Sequence, residues 1–303
     1  MTAEQPTFTV IIPTFNRSGK IRHAVDSVLA QAYPDFELIV VDDGSTDDTR
    51  EVIAAVSDRR LRYERQANRG RCAARNAGAE SACGEHVTFL DSDDEALPNW
   101  LADLAAGFDT DRNVGIVCTG HERILDGGAR QTVLPSRLDE FFGASGRAGL
   151  FVAGTFAVRR EIILEVGGYE ERLTFSENTE LAIRMVPHCL ARGYRLECIE
   201  RAGTIYHMNR SVSPSRDALA NDLASSEYIL QTHRDRLALS PRPYSYYLGT
   251  AGVRAARLGD YVKARRFFAQ AVRQRPTRPR HFGRWLLAAF PPLGRRVWAA
   301  PGN

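Results

Sequence analysis

The stretch FELIVVDDGSTDDT, residues 36 to 49, begins with six residues of which five are apolar, then stops at two acids, a glycine and a hydroxyl-rich acidic turn. A run apolar at almost every position has no polar face. It suits a strand covered on both sides, as in a parallel sheet wrapped by helices. The acids that end it then fall at the carboxyl end of the strand, where ligands bind in such sheets.

The same alternation extends in both directions. FTVII (Phe8 to Ile12) is a short β-rich run ending at Pro13, and Ile21, Ala24, Val25, Val28 and Leu29 follow at helical spacing. Val52, Ile53 and Val56 mark a second helix, Leu61 to Tyr63 a third strand, Arg71 to Ala82 a helix, and HVTFL (His86 to Leu90) a fourth strand. Leu97 to Phe108 reads as helix and Gly115 to Cys118 as a fifth strand. From about Arg216 the strand signals fade. Tyr244 to Arg257, Tyr261 to Arg273 and Phe282 to Phe290 are expected helices, separated by Gly259-Asp260 and by Pro276 to Pro279. The sequence therefore predicts an α/β domain over residues 1–215, a mostly parallel sheet flanked by helices, and a basic helical C-terminal region over residues 216–303.

Composition agrees with an ordinary globular chain: 303 residues, 44% hydrophobic and 25% charged. Charge is unevenly placed. Ten Lys or Arg and no acid follow Asp260, so a net charge of +3 leaves −7 on residues 1 to 260. A basic end on an acidic body suits contact with phosphates or an anionic membrane surface, and equally a solvated face. The five cysteines (Cys72, Cys83, Cys118, Cys189, Cys198) form no CxxC pair, which argues against a disulfide framework or a zinc site. No run reaches the roughly 18 to 20 apolar residues of a membrane span, and no leader is evident, so the expected place is the cytoplasm. The basic helices and RWLLAAFPPLGRRVW, with Trp285 and Trp298, suggest peripheral contact with the inner membrane face. The competing reading is that Leu286, Leu287 and Phe290 pack on the rest of the chain or at a homodimer contact. No nucleic-acid partner is expected.

The chemistry-bearing residues gather where the sheet would end. FLDSDD puts Asp91, Asp93 and Asp94 within four positions after a buried strand, an unfavourable crowding unless a cation or hydrogen-bond donors offset it. Carboxylates without nearby thiols favour a hard divalent ion, Mg²⁺ or Mn²⁺, shared with substrate phosphates; helix capping is the bland alternative. Asp42 and Asp43 can bind ligand hydroxyls or ring nitrogens. NRGRCAARNAG brings Arg69, Arg71 and Arg75 beside Gly70, a cluster suited to a diphosphate. No GxGxxG fingerprint is present, against a dinucleotide-binding site. PTFNRSGK carries a single glycine, against a nucleotidyltransferase loop.

Together TVIIPTFNR, FELIVVDDGSTDDT, NRGRCAARNAG, HVTFLDSDD and GGYEERLTFSENTELAIRM resemble the family 2 glycosyltransferases of GT-A fold, over roughly the first 210 residues. The resemblance implies an inverting enzyme that moves a sugar from a nucleotide-sugar, a UDP-sugar, to an acceptor hydroxyl. It implies that Pro13, Thr14, Phe15 and Arg17 line the nucleotide pocket with the Phe15 ring on uracil, and that Asp43 meets the uracil edge. Arg71, Arg75 and Asn76 would lie near base or phosphate. Asp91, Ser92 and Asp93 occupy the place of the family's DxD motif, with Asp93 holding Mn²⁺ or Mg²⁺ and Asp91 the ribose or the metal sphere. His207 falls where relatives carry a His near the metal, although a lone His after a strand is more often structural. Acceptors in the family include glycans, lipid carriers and small natural products. Specificity is expected from the region after Gly120, including Gly143 to Gly149 as a loop over the site.

One position departs from the pattern. Where the family places a Glu-Asp pair with the Asp as general base, this chain reads Glu177-Asn178. A carboxamide cannot take a proton, though it can orient a hydroxyl. Glu177 or Glu180 supplies the base, or the chain is an inactivated variant, or it binds a sugar nucleotide without turning it over. Glu177 is the working assignment.

Overall fold

The computed structural model describes residues 5–125, 128–135, 151–207, 215–239 and 241–298. The Gly143 to Gly149 stretch lies outside the described residues. Strand and helix alternate from the start: β1 (Phe8–Thr14), α1 (Ile21–Leu29), β2 (Phe36–Asp42), α2 (Thr49–Ala54), β3 (Leu61–Arg65), α3 (Arg71–Ser81) and β4 (His86–Phe89). There follow β5 (Glu95–Ala96), α4 (Trp100–Asp109), β6 (Val114–Ile124), β7 (Arg130–Val133), β8 (Phe156–Arg159), α5 (Arg160–Glu165), α6 (Glu177–Ala191) and β9 (Arg195–His207). The C-terminal helices are α7 (Arg216–Thr232), α8 (Arg234–Ala238), α9 (Pro241–Arg257), α10 (Tyr261–Gln274), α11 (Pro279–Ala289) and α12 (Pro291–Trp298).

The chain divides into two compact units. Described residues up to 135, with 151–171 and 178–207, form the sheet unit; residues 172–177 and 215–298 form the helical unit.

In the sheet unit the strand order is β3-β2-β1-β4-β8-β6-β9-β5, with β7 on β6. β1 pairs in parallel with β2 and β4, and β2 with β3. Their burial on both faces is what the apolar runs call for: β1 is buried at every position. Beyond β4 the sheet is mixed, because β8 enters antiparallel between β4 and β6, while β6 and β9 run parallel. Phe8, Val10, Ile12, Leu38 and Val40 share one core with α1 and α4, which contribute Ile21, Val25, Val28, Trp100 and Leu104. α1 buries Ile21, Ala24, Val25 and Val28, the stripe its spacing announced. Each large aliphatic side chain removed from water in this way stabilises the fold by roughly 1.5–3 kcal/mol.

α3 covers the opposite face, and Gly78 sets how closely. A Cβ there would stand 2.6 Å from Ile11 Cγ2, so only a glycine lets the helix approach the sheet at that point. Register aligns the strand ends: Thr14 lies beside Asp42, and Ile11 beside Phe89. The segments after β1, β2 and β4 therefore leave the sheet at one edge.

In the helical unit α9 and α10 form a hairpin closed at Asp260, whose side chain accepts a 2.8 Å hydrogen bond from the Lys263 amide and caps α10. Phe268 is fully buried and stacks on Trp298 with ring centroids 5.9 Å apart. Trp298 thus belongs to the core of this unit and not to a membrane-facing surface, whereas Trp285 is half-buried beside Phe282. Leu286 and Phe290 are exposed. Among the described residues no helix is long and apolar enough to cross a membrane.

Candidate active site

The edge at which β1, β2 and β4 end carries the polar segments of the sheet unit. After β1, Asn16 takes a left-handed conformation (φ 52°), which Asn tolerates well. Its amide donates to Ser45 Oγ (2.9 Å) and its Oδ1 accepts from the Thr46 amide (2.8 Å). The two loops are thereby tied together. The Phe15 ring is left exposed beside them, free to stack on a flat ligand. Pro13 and Thr14 are buried, and Thr14 Oγ1 has no hydrogen-bond partner among the described residues, an unmet polar group at the place expected to meet nucleotide.

The two acids after β2 differ. Asp42 is fully buried and accepts hydrogen bonds from the Ser45 amide (2.7 Å) and the Tyr63 hydroxyl, so it holds the turn and the neighbouring strand. Tyr63 is correspondingly pushed up to about 12, first by burial and then by this bond. Asp43 binds its own neighbourhood more fully. Oδ1 accepts from Gln66 Nε2 (2.7 Å) and the Arg69 amide (2.9 Å), and Oδ2 from the Gly70 amide (2.7 Å). Asp43 shapes the loop that launches α3, and only the remaining lone pairs of its carboxylate are open to a base edge.

From α3, one turn before Gly78, Arg75 reaches the β4 end. Its guanidinium is fully buried, lies 2.5 Å from Asp91 Oδ1 and sits over the Tyr169 ring at 5.1 Å. Arg71 is exposed at the first turn of the same helix. Asn76 does not face open solvent: its Oδ1 accepts from the Tyr169 amide (2.7 Å) and its Nδ2 donates to the Tyr169 carbonyl (2.9 Å). Gly168 makes this clasp possible, with φ 65° and no room for a Cβ, which would lie 2.4 Å from Asn76 Oδ1. Asn76 is therefore engaged in positioning Tyr169.

Beyond β4, Asp91 and Asp93 are partly exposed, while Ser92 and Asp94 are buried. Arg17 and Lys20 each bring a cation to 3.7 Å from Asp93 Oδ2. Lys20 is a partner that the sequence reading missed; its only signal was a cation shortly after the first strand. Asp94 accepts the His207 amide (3.0 Å), and its carboxyl is pushed up to about 8, chiefly by burial and then by the Asp91 charge. Such crowding is what a divalent cation beside Asp91 and Asp93 would relieve, so the oxygen donors fit a hard metal that takes its other ligands from phosphate and water. His207 adjoins them through its amide, and its ring nitrogen meets Glu95 at 3.1 Å; among the described residues no three His, Cys, Asp or Glu side chains converge as a metal cluster. The structure thus assigns His207 to the β5–β9 edge.

The Tyr169 hydroxyl donates to Asn178 Oδ1 (2.9 Å), and the Tyr169 ring packs edge-on against Phe89 (5.3 Å). A chain of contacts therefore runs from Asp91 through Arg75 and Tyr169 to Asn178. Sequence reasoning overlooked Tyr169, although its place directly after a Gly-Gly pair was the available signal. Glu180 is fully buried and held by both oxygens on Arg184, at 2.8 and 2.7 Å. Arg184 also donates to the carbonyls of Val166 and Gly168. Glu180 therefore anchors the Gly-Gly turn. Glu177 is buried, and Ser176 before it adopts a strained left-handed conformation (φ 57°).

Residues 9–167, more than half of the chain, match the model of the family described as Glycosyl transferase family 2. The chain belongs to glycosyl transferase family 2. A glycosyltransferase from Nostoc sp. shares 34% identity over 168 residues, 52% of this chain and 52% of that protein, so the chain spans about half the length of that curated family relative. Among solved structures, S. aureus TarS 1–349 in complex with UDP-GlcNAc superposes with a TM-score of 0.63 at 19% identity, covering 96% of this chain and 88% of that one. The mannosyltransferase PcManGT from Pyrobaculum calidifontis, in complex with GDP-Man and Mn²⁺, gives a TM-score of 0.56 at 20% identity, covering 98% and 88%. At such identities the likeness is one of fold alone.

Proposed function

We propose that the protein transfers a sugar from a nucleotide-sugar, a UDP-sugar by the resemblance of its motifs, to an acceptor hydroxyl with inversion at the anomeric carbon. The observation that carries this reading is the strand-end arrangement: Asp91 held by buried Arg75, and Asp93 faced by Arg17 and Lys20, beside the exposed Phe15 ring. Acids for a cation, cations for phosphate and a ring for a base stand on consecutive loops of one sheet edge. TarS holds UDP-GlcNAc and PcManGT holds GDP-Man with Mn²⁺, which supports a nucleotide-sugar donor here.

Asp93 and Asp91 would hold Mn²⁺ or Mg²⁺. That ion supplies electrostatic stabilisation of the negative charge that grows on the departing diphosphate. Arg17 and Lys20 add fixed positive charge on the same side, and Thr14 Oγ1 offers a buried donor. In the transfer the acceptor oxygen bonds to the anomeric carbon, the bond from that carbon to the diphosphate oxygen breaks, and the acceptor proton passes to a base. Asn178 has no basic atom, and Glu180 is committed to Arg184. Glu177, the working assignment of the sequence reading, is kept for the role, with Asn178, oriented by Tyr169, positioning the acceptor hydroxyl.

The test is UDP release from a panel of UDP-sugars with Mn²⁺, comparing the chain with Glu177→Gln and Asn178→Asp. Turnover lost in Glu177→Gln and kept in the chain supports the assignment. Turnover confined to Asn178→Asp moves the base to position 178 and makes the natural chain a binder of sugar nucleotide.

A further inference from the structure

The helical unit contains a cavity of about 460 Å³ between α7, α9 and α11 that the proposed transfer does not use. Its lining includes five arginines and a single acid, Asp222. That acid is already paired with Arg254 at 3.2 Å. Among the described residues Arg278, Arg280 and Arg284 have no ion-pair partner, so the cavity carries a surplus of positive charge with nothing internal to balance it.

Three features set this apart from a solvated basic face. First, His281 lines the cavity at 3% exposure with both ring nitrogens buried and without hydrogen-bond partners. A buried imidazole with neither nitrogen met is costly, and a ligand that accepts a hydrogen bond removes the cost. Second, Arg278 and Arg280 flank Pro279 at the start of α11, a first turn that contains no acid. Cations at the positive end of a helix are unfavourable unless an anion sits there. Third, α9 is shaped to admit the ring: Gly249 faces His281 Cε1, where even a Cβ would be only 3.2 Å away. Burial, followed by the charges of Arg278 and Arg284, holds the His281 ring below its ordinary value, and burial with Arg280 and Arg278 lowers Arg284. These are the signs of cations crowded without a counter-charge.

We propose that this cavity is an anion site for a phosphate-bearing ligand with at least two negative charges, a phosphomonoester or diphosphate, gripped by Arg278, Arg280 and Arg284 with His281 as a hydrogen-bond donor. Guanidinium forks match phosphate oxygens two at a time, and their number here exceeds what a single carboxylate requires. Tyr246 at the rim, largely exposed, offers a flat surface for whatever the phosphate is attached to. The same chemistry is borne by a soluble phosphorylated molecule and by a lipid headgroup.

The experiment titrates sodium pyrophosphate into the full-length protein by calorimetry in EDTA, so that the divalent-dependent site of the sheet unit is silent. Binding is expected, weakened about tenfold for each arginine removed in Arg278→Gln and Arg280→Gln and unchanged in Asp93→Asn. Both arginines are exposed, so these variants keep their fold; histidine-ring NMR of the unmutated protein, with the His281 signal moving on titration, is a readout independent of them. No binding, binding indifferent to both arginines, or a static His281 signal would overturn the proposal. Co-sedimentation with phosphatidylcholine vesicles, with and without phosphatidic acid, then separates the sources. Arginine-dependent pelleting only with phosphatidic acid marks a lipid-borne phosphate, and pyrophosphate binding without pelleting marks a soluble one.

Discussion

The sheet unit and the helical unit treat charge in opposite ways. At the end of the sheet, almost every acid has a donor within reach: Asp42 its turn and Tyr63, Asp43 three donors from the segment between β3 and α3, Asp91 a buried arginine. What remains is the crowding of Asp91, Asp93 and Asp94, which pushes the buried Asp94 carboxyl up even though it accepts the His207 amide. In the helical unit Arg254 is paired with Asp222, but Arg278, Arg280 and Arg284 around His281 have no ion-pair partner among the described residues. The comparison teaches that acid-rich sequence can be mostly architecture, while a basic run that could be read equally as phosphate-binding or solvated lines the less compensated cavity.

The largest effect is expected at the residual acid. Asp93→Asn should lower UDP release about thousandfold, with circular dichroism unchanged, since the substitution removes the proposed metal ligand and buries nothing new. Retained turnover would break the distinction between structural and functional acids. Next, the helical unit has a core of its own, and Phe268→Ala should cost about 3–5 kcal/mol in urea denaturation by opening the space between Gly252 and Trp298. A loss below 1 kcal/mol would mean that stacking there contributes little.

A pH effect of about 3 kcal/mol is expected from the sheet unit. His86 lies against Phe8 and Phe108 and is held down to about 4, mainly by burial. An unfolded histidine titrates near 6.5. Between those values the unfolded chain binds the extra proton, so stability is full above pH 6.5 and falls as pH drops toward 4. His121, likewise held down to about 4 by burial, adds to the slope. His86→Phe should flatten it in denaturation measured at pH 7 and pH 5. The smallest effect sharpens the contact chain to Asn178. Tyr169→Phe should cost about 1 kcal/mol by removing a single hydroxyl donor. It should change kcat more than KM, because Asn178 loses its orientation while the donor pocket is untouched.

Local pattern carried the parallel half of the fold into view. α1 and β2 announce themselves because each satisfies its own periodicity, and α3 is marked by Gly70 before it. The mixed half was hidden: β8 joins β4 and β6 through pairings dozens of residues apart, and β9 is broken by Glu197, Glu200 and Arg201, which obscure its alternation. The acids and arginines of the candidate site were legible as types, but their division of labour was not. In ENTELAIRM the i,i+4 spacing of Glu180 and Arg184 was the available signal for their pairing and was not used, while nothing in DDGSTDD says that Asp42 faces Tyr63. The arginine cavity escaped for the same reason, since its walls come from segments between Phe175 and Arg284 that only the fold brings together.

The most direct test of this division is calorimetric titration of UDP in the presence of Mn²⁺ into three proteins: the unmodified chain, Asp93→Asn, and the double variant Arg278→Gln with Arg280→Gln. The account predicts that the Mn²⁺-dependent part of UDP binding is the same in the chain and the double variant and that Asp93→Asn loses most of it. UDP affinity that survives Asp93→Asn and disappears with the two arginines would place the nucleotide in the helical unit and contradict it.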